Sequence, residues 1–548
     1  MKKPENKGKK GSAAAKPAKR KANPPKLDLD ALEGLRQLLE SALAQEGDED
    51  GESSVELIER FLDICRGAEE EAGEKEDLLQ ELLPELSALR IAVAHDEPGA
   101  RAELDEILEL IGDAIDEHEL ALIDLMLASK LFAEAGFAVP DRLKQALADT
   151  LSREPTADGE EDDDEDGEGE TSLADSLLSL AEAVGNDPFE MYEQLRAFLA
   201  GFPQKLVLHI LIDLGARGDD LTLQALAGFL LHADAEIAAT ASESLAAAAS
   251  KTPVESRLVE RIVRMRPWLA PERHPPLDAA IKALRQNTLA PVKSVAAKAS
   301  KIYLSVCDGA GAHGLLAAAK TGRSYTLASA LMTPAGVTDA FVHALLSKRE
   351  VETLVREASE AAKSEPADAA VAGRMLALAL ADNVRSATPP PYKLIEVAEI
   401  LGLGPLPPDS AAPETIAGEL LAELPADWTD ANAAKRAHTL IAGELFPESW
   451  FEDGGDVDKL LRPVRGVKAR VEKLLTGLMP ARRGFWARQC ALTALALRGL
   501  DAQHPPAACL EFALVARDLA SDKPAETVPL LKRLAEESAS VFAARTGK

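Results

Sequence analysis

The residues GAGAHG, Gly309 to Gly314, follow the apolar run IYLSVC and carry the spacing G-x-G-x-x-G. Behind a strand, that spacing lets the backbone approach a dinucleotide pyrophosphate and sets the phosphates on a helix N-terminus. The chemistry also needs a crossover helix after the third glycine and an acid about twenty residues further on for the ribose. Only the six residues LLAAAK separate Gly314 from Thr321-Gly322-Arg323, too few for a parallel crossover. No acid occurs between Asp308 and Asp339. Two short runs about a Gly-containing turn predict an antiparallel hairpin instead, and SYTLASALM continues extended until Pro334 stops it. The expectation is a small antiparallel β-meander at 301–333.

Other reaction chemistry lacks its partners. The nine histidines form no HExxH pair and no Cys/His cluster with zinc spacing. His118, in DEHE, reads as part of a solvated acidic face. Cys307 and His313 could be drawn as a nucleophile and base, yet such a pair needs a third orienting group. No GxSxG elbow and no GxxxxGK[ST] loop occurs. An enzyme reading therefore centres on the β element, with Asp308, His313, Arg323 and Asp339 converging on a pocket. No cofactor or metal is expected. The four cysteines form no CxxC pair and read as reduced thiols of a cytoplasmic protein.

Basic residues form the clearest local features. Nine fall between Lys459 and Arg488 against the single acid Glu472. Arg465 and Lys468 share a helical face, and Arg482, Arg483 and Trp486 follow. Bases attract phosphates and an exposed indole can stack on a nucleobase. Against this, FWARQCALTALAL has helical apolar spacing, which puts Trp486 in a core. A second stripe, Arg257, Arg261 and Arg264, recurs at helical spacing and suits an acidic partner or the chain's own acids.

These residues must be positioned by a mostly helical chain. It has 548 residues, is rich in Ala, Leu and Glu, and contains 4% aromatics, a composition that favours helices. No run is long and apolar enough for a membrane span. The net charge of −31 is unevenly spread. Residues 1–26, with ten Lys/Arg against one Glu, read as a disordered basic arm. Residues 27–153 show helical period with acids on the solvated faces, and 154–171, EPTADGEEDDDEDGEGET, read as an acidic linker. Helical period returns over 172–300 and, in this reading, over 334–382, where GVTDAFVHALL opens the segment. Residues 383–412 are rich in Pro and Gly and read as a loop, and 413–548 as a helical C-terminal region.

Within 172–300, HADAEIAATASESLAA resembles the turn and second helix of a HEAT repeat. Asp234 stands in the turn, and Ile237, Ala241 and Leu245 on the apolar face. The family's usual Arg after the aliphatic residue is replaced by Ala238. LTLQALAGFLL supplies the first helix, and neighbouring pairs extend the likeness over about 188–287. The resemblance implies a stack of helical pairs, since such units cannot close a core alone. The expected fold is therefore mostly α, a HEAT-like solenoid or helical bundle interrupted by the β element near 302–332. The expected function is a non-catalytic scaffold or adaptor for protein partners. The alternatives are a nucleic-acid-associated factor using the arm 1–26 and the patch 459–488, and an enzyme with its site around 308–339.

Overall fold

The computed structural model describes residues 53–66, 72–94, 98–117, 120–153, 187–290, 299–322, 324–422, 433–500, 506–521 and 523–546. The basic arm, the acidic linker, His118 and Arg323 lie outside the described residues. Among those described, 21 α-helices and five strands are formed.

Helices α1 (Ser54–Arg66), α2 (Ala72–Ala94), α3 (Ala100–Asp116), α4 (Leu122–Glu134) and α5 (Asp141–Arg153) pack on one another through Phe61, Leu82, Ile107 and Phe132. Three helical pairs follow: α6 (Pro188–Leu199) with α7 (Gln204–Arg217), α8 (Asp220–Gly228) with α9 (Ala235–Lys251), and α10 (Ser256–Met265) with α11 (His274–Gln286). Aspartates start several of these helices by filling orphan backbone donors. Asp234 accepts from the amides of Glu236 and Ile237 at 2.8 and 3.1 Å, which places it in the turn as its sequence context predicts. Gly218, at φ 71°, ends α7 in a left-handed cap.

The pairs stack in register. Helix α8 packs on α6 and α10, while α9 packs on α7 and α11, so first and second helices form separate layers. Alanines 241, 248 and 249 of α9 are buried, and small side chains allow this close approach. Helix α4 packs directly on α6, so the acidic N-terminal helices join the stack by contact.

The β element is larger than the sequence predicts. Strands β1 (Ala299–Ser305), β2 (His313–Thr321), β3 (Ser324–Thr333) and β4 (Gly336–Leu346) form an antiparallel meander. After α12 (Lys348–Ala361), the short β5 (Ser364–Pro366) pairs with β1, giving the order β4-β3-β2-β1-β5. Residues 336–346 are therefore extended and not helical. Their apolar residues fall at helical intervals, but pairing along most of β3 outweighs that pattern. The helix begins only where Ser347 and Glu350 form a capping box.

Helix α13 (Ala369–Ser386) lies against β1, β3 and β4. The segment 383–412 is more than a loop: α14 (Leu394–Ile400) is built within it because Leu394, Ile395, Val397 and Ala398 are buried. The C-terminal bundle comprises α15 (Pro413–Ala422), α16 (Ala433–Gly443), α17 (Gly455–Leu461), α18 (Val467–Gly477), α19 (Met479–Ala496), α20 (Ala507–Leu519) and α21 (Pro529–Thr546). Helix α19 packs on both α20 and α13.

Helix α14 contacts α10, β3 and β4, joining stack to sheet. Buried Arg261 donates to both oxygens of Glu399 at 3.0 Å, lies over the Phe189 ring at 4.5 Å and reaches Gln224. Burial opposes the Glu399 charge, but the Arg261 and Arg257 guanidiniums outweigh it and hold the carboxyl below its usual range. Its neighbour Glu396 behaves oppositely. Burial, aided by Asp187, raises it to about 7, and its buried Oε2 has no hydrogen-bond partner among the described residues. A carboxyl raised from 4.5 to about 7 stabilises the fold below pH 4.5, and that contribution is lost as the pH rises through 7. Glu396→Gln should therefore gain stability relative to wild type across this window, by about 3 kcal/mol at pH 8. Denaturant melts at several pH values check this, and a flat difference between the two proteins would contradict it.

Candidate functional site at the glycine-rich turn

The turn between β1 and β2 closes on itself. Ala312 N donates to the Asp308 carboxylate at 2.7 Å, Asp308 N donates to Ala312 O at 2.9 Å, and Gly311 adopts φ 92°. The exposed Asp308 thus serves as the internal brace of a tight turn. The glycines face protein. A side-chain carbon on Gly309 would overlap the carbonyl oxygen of Ser449, and one on Gly311 would come within 2.6 Å of Gln489 and 2.8 Å of Pro334. Gly314 has room, with Ser305 Oγ 3.9 Å away as the nearest atom. This is the reverse of what a pyrophosphate cradle requires, where the third glycine admits a helix against the strand.

Hydrogen bonds fasten the same turn to the C-terminal bundle. Trp450 Nε1 donates to Cys307 O at 2.8 Å, and the Cys307 thiol donates to the Gln489 amide oxygen. Burial pushes the Cys307, Cys490 and Cys509 thiols up, Cys509 to about 12. Since the thiolate is the nucleophile, Cys307 is a packed donor and not one half of a reactive pair with His313.

Beside the turn, α13 and α19 leave a cavity of about 160 Å³. Met375, Leu378, Phe485 and Leu492 supply apolar walls, and His313, Asp382, Arg385, Arg488 and Gln489 the polar groups. Asp382 is almost fully buried; Arg488 pairs with one of its oxygens and Arg385 stands 2.6 Å from the other. His313 is buried, its Nδ1 has no partner among the described residues, and burial together with Arg488 lowers its pKa to about 4, so it is neutral.

The three described residues of the enzyme reading, Asp308, His313 and Asp339, do not meet. His313 pairs with Met332 and Asp339 with Leu331, the adjacent residue on β3, so they occupy opposite faces of the sheet. Burial raises Asp339 to about 6, and its neighbouring charge is Glu193 of α6. The exposed Asp308 is engaged by Ala312 N within its own turn, and Arg323 lies outside the described residues.

The basic residues divide into two groups. Arg465 and Lys468 are exposed, with no ion-pair partner among the described residues. Arg482 and Trp486 both donate to Glu452 Oε1 at 2.7 Å, and Arg483 donates to the carbonyls of Ser521 and Lys523. Trp486 is fully buried beside Trp450, so it offers no face to a nucleobase. In the second stripe, Arg257 and Arg261 meet the chain's own Glu399, and Arg264 has a buried nitrogen without a partner among the described residues. Asp382, Gln489, Glu452 and Glu399 belong to no motif. The trace of the first is a single acid in the otherwise apolar run MLALALAD.

Stacked helical pairs and a C-terminal helical bundle sharing a small antiparallel sheet define the class of this protein. Residues 203–288 match the Y4lR second domain, and residues 414–543 the Y4lR C-terminal helical domain. The chain is 26% identical over 471 residues to the uncharacterized protein y4lR of Sinorhizobium fredii, covering 82% of this chain and 85% of that one. No solved structure matches the chain. The matched domains correspond to α7–α11 and α15–α21, and the sheet, α13 and α14 lie between them in sequence.

The glycines yield a contrast. Gly309→Ala should destabilise the protein by about 3 kcal/mol or more, because two backbones must part. Gly314→Ala should stay within about 1 kcal/mol of wild type. Thermal and urea melts of both variants decide the matter. Equal tolerance at both positions would remove the packing explanation of this stretch.

Proposed function

We propose that the protein is a non-catalytic scaffold that presents its helical surfaces, arranged as HEAT-like pairs, to a protein partner. The observation that carries this reading is where the buried charges go. Arg261–Glu399, Arg488–Asp382 and Arg482–Glu452 each tie together elements far apart in sequence. Groups suited to acid–base work are thereby committed to holding blocks in place, while Asp308, His313 and Asp339 point to different surroundings. The absence of a membrane-length apolar helix among the described residues is compatible with it. A cytoplasmic location belongs to the same reading.

A second reading, association with nucleic acid, draws on the exposed Arg465 and Lys468, to which the arm 1–26 would add non-specific phosphate contacts. One pair of experiments separates the two. Chemical crosslinking and capture in cells that express the chain should yield a stoichiometric protein partner, reduced several-fold by Arg465→Glu with Lys468→Glu. Fluorescence anisotropy with short DNA and RNA should show no binding that this double variant abolishes at near-physiological salt. Salt-sensitive binding lost in the variant, with no protein partner captured, would replace the scaffold reading by the nucleic-acid one.

A further inference from the structure

We propose that the cavity between the glycine-rich turn, α13 and α19 is a binding site for a small hydroxylated monocarboxylate. Three observations meet there. The first is size: a protein cavity of about 150 Å³ accommodates a benzene-sized ligand, and this one is about 160 Å³. The second is charge. Two guanidiniums, Arg385 and Arg488, face the single carboxylate of Asp382, and His313 is neutral, so the lining carries one positive charge in excess. A monoanion balances it. Both arginines pair with Asp382, and Arg385 is the more available of the two, since its side chain is 63% exposed whereas that of Arg488 is 20% exposed. The carboxylate of the ligand therefore binds at the Arg385 end.

The third observation is the buried Nδ1 of His313 without a partner. A buried polar atom left unpaired costs free energy, and a hydroxyl satisfies it in either tautomer because it can donate or accept. Met375, Leu378 and Leu492 take the short alkyl part between the two polar ends. Because the lining comes from the sheet, α13 and α19 together, an occupant braces the joint between sheet and bundle. This inference does not depend on the scaffold reading.

The test is calorimetric titration of the full-length protein with 3-hydroxybutyrate and with butyrate. The hydroxylated probe should bind, and butyrate should bind about tenfold more weakly, since the His313 contact is missing. Arg385→Gln, a change at an exposed side chain, should weaken 3-hydroxybutyrate about tenfold. Ala379→Leu should fill the cavity and abolish binding, with circular dichroism checking its fold; should it fail to fold, Arg385→Gln still decides. The proposal is overturned if neither probe binds the wild type, if both bind equally, or if Arg385→Gln binds as the wild type does.

Discussion

At Gly309 and Ser449 two backbones come so close that no side-chain carbon fits between them. Much of the central part of the molecule follows from that approach. It brings Trp450 within reach of the Cys307 carbonyl and sets the Cys307 thiol on Gln489, which fastens the β1–β2 turn to α19. With the turn fixed, the inner face of the sheet closes on α13, where Asn383 both accepts from Val337 N and donates to Val337 O. A spacing that elsewhere serves to approach a pyrophosphate here serves to approach another part of the same chain. Glycine is required in both cases because a backbone must come near a bulky neighbour.

Charge plays the same part on a larger scale. A buried ion pair contributes little net stability, but breaking one leaves a costly uncompensated charge. Arg261–Glu399 and Arg488–Asp382 therefore act chiefly to specify which blocks meet. The first ties the helical stack to α14, and the second ties α13 to α19. Residues separated by more than a hundred positions are selected as neighbours, so Arg257, Arg261 and Arg488 find their partners within the chain.

Helical period was sufficient to read most of the helices, and the aspartate at position 234, read as a turn residue, stands at the turn, where it caps α9. The hairpin about Gly322 was legible because too few residues separate the two runs for any crossover. Strand β4 was not legible, since Val337, Phe341 and Leu345 fall at helical intervals and only pairing with β3 decides the matter. The buried position of Trp486 followed from its apolar run. Its bond to Glu452 did not, because Glu452 lies in the loop before α17 and Trp486 in α19, and no motif links the two. The cavity was least legible of all. Its polar groups come from three segments, and only His313 and Arg488 among them lie in stretches whose residue types suggest chemistry.

The central claim is that the glycine-rich turn makes the sheet and the C-terminal bundle open as one cooperative unit. Native-state amide hydrogen exchange of the full chain at increasing denaturant tests it most directly. The account predicts that the amides of β2, β3 and α19 converge on one opening free energy and one denaturant dependence. Exchange of the β2 and β3 amides through a separate, cheaper opening, with α19 still protected, would contradict it.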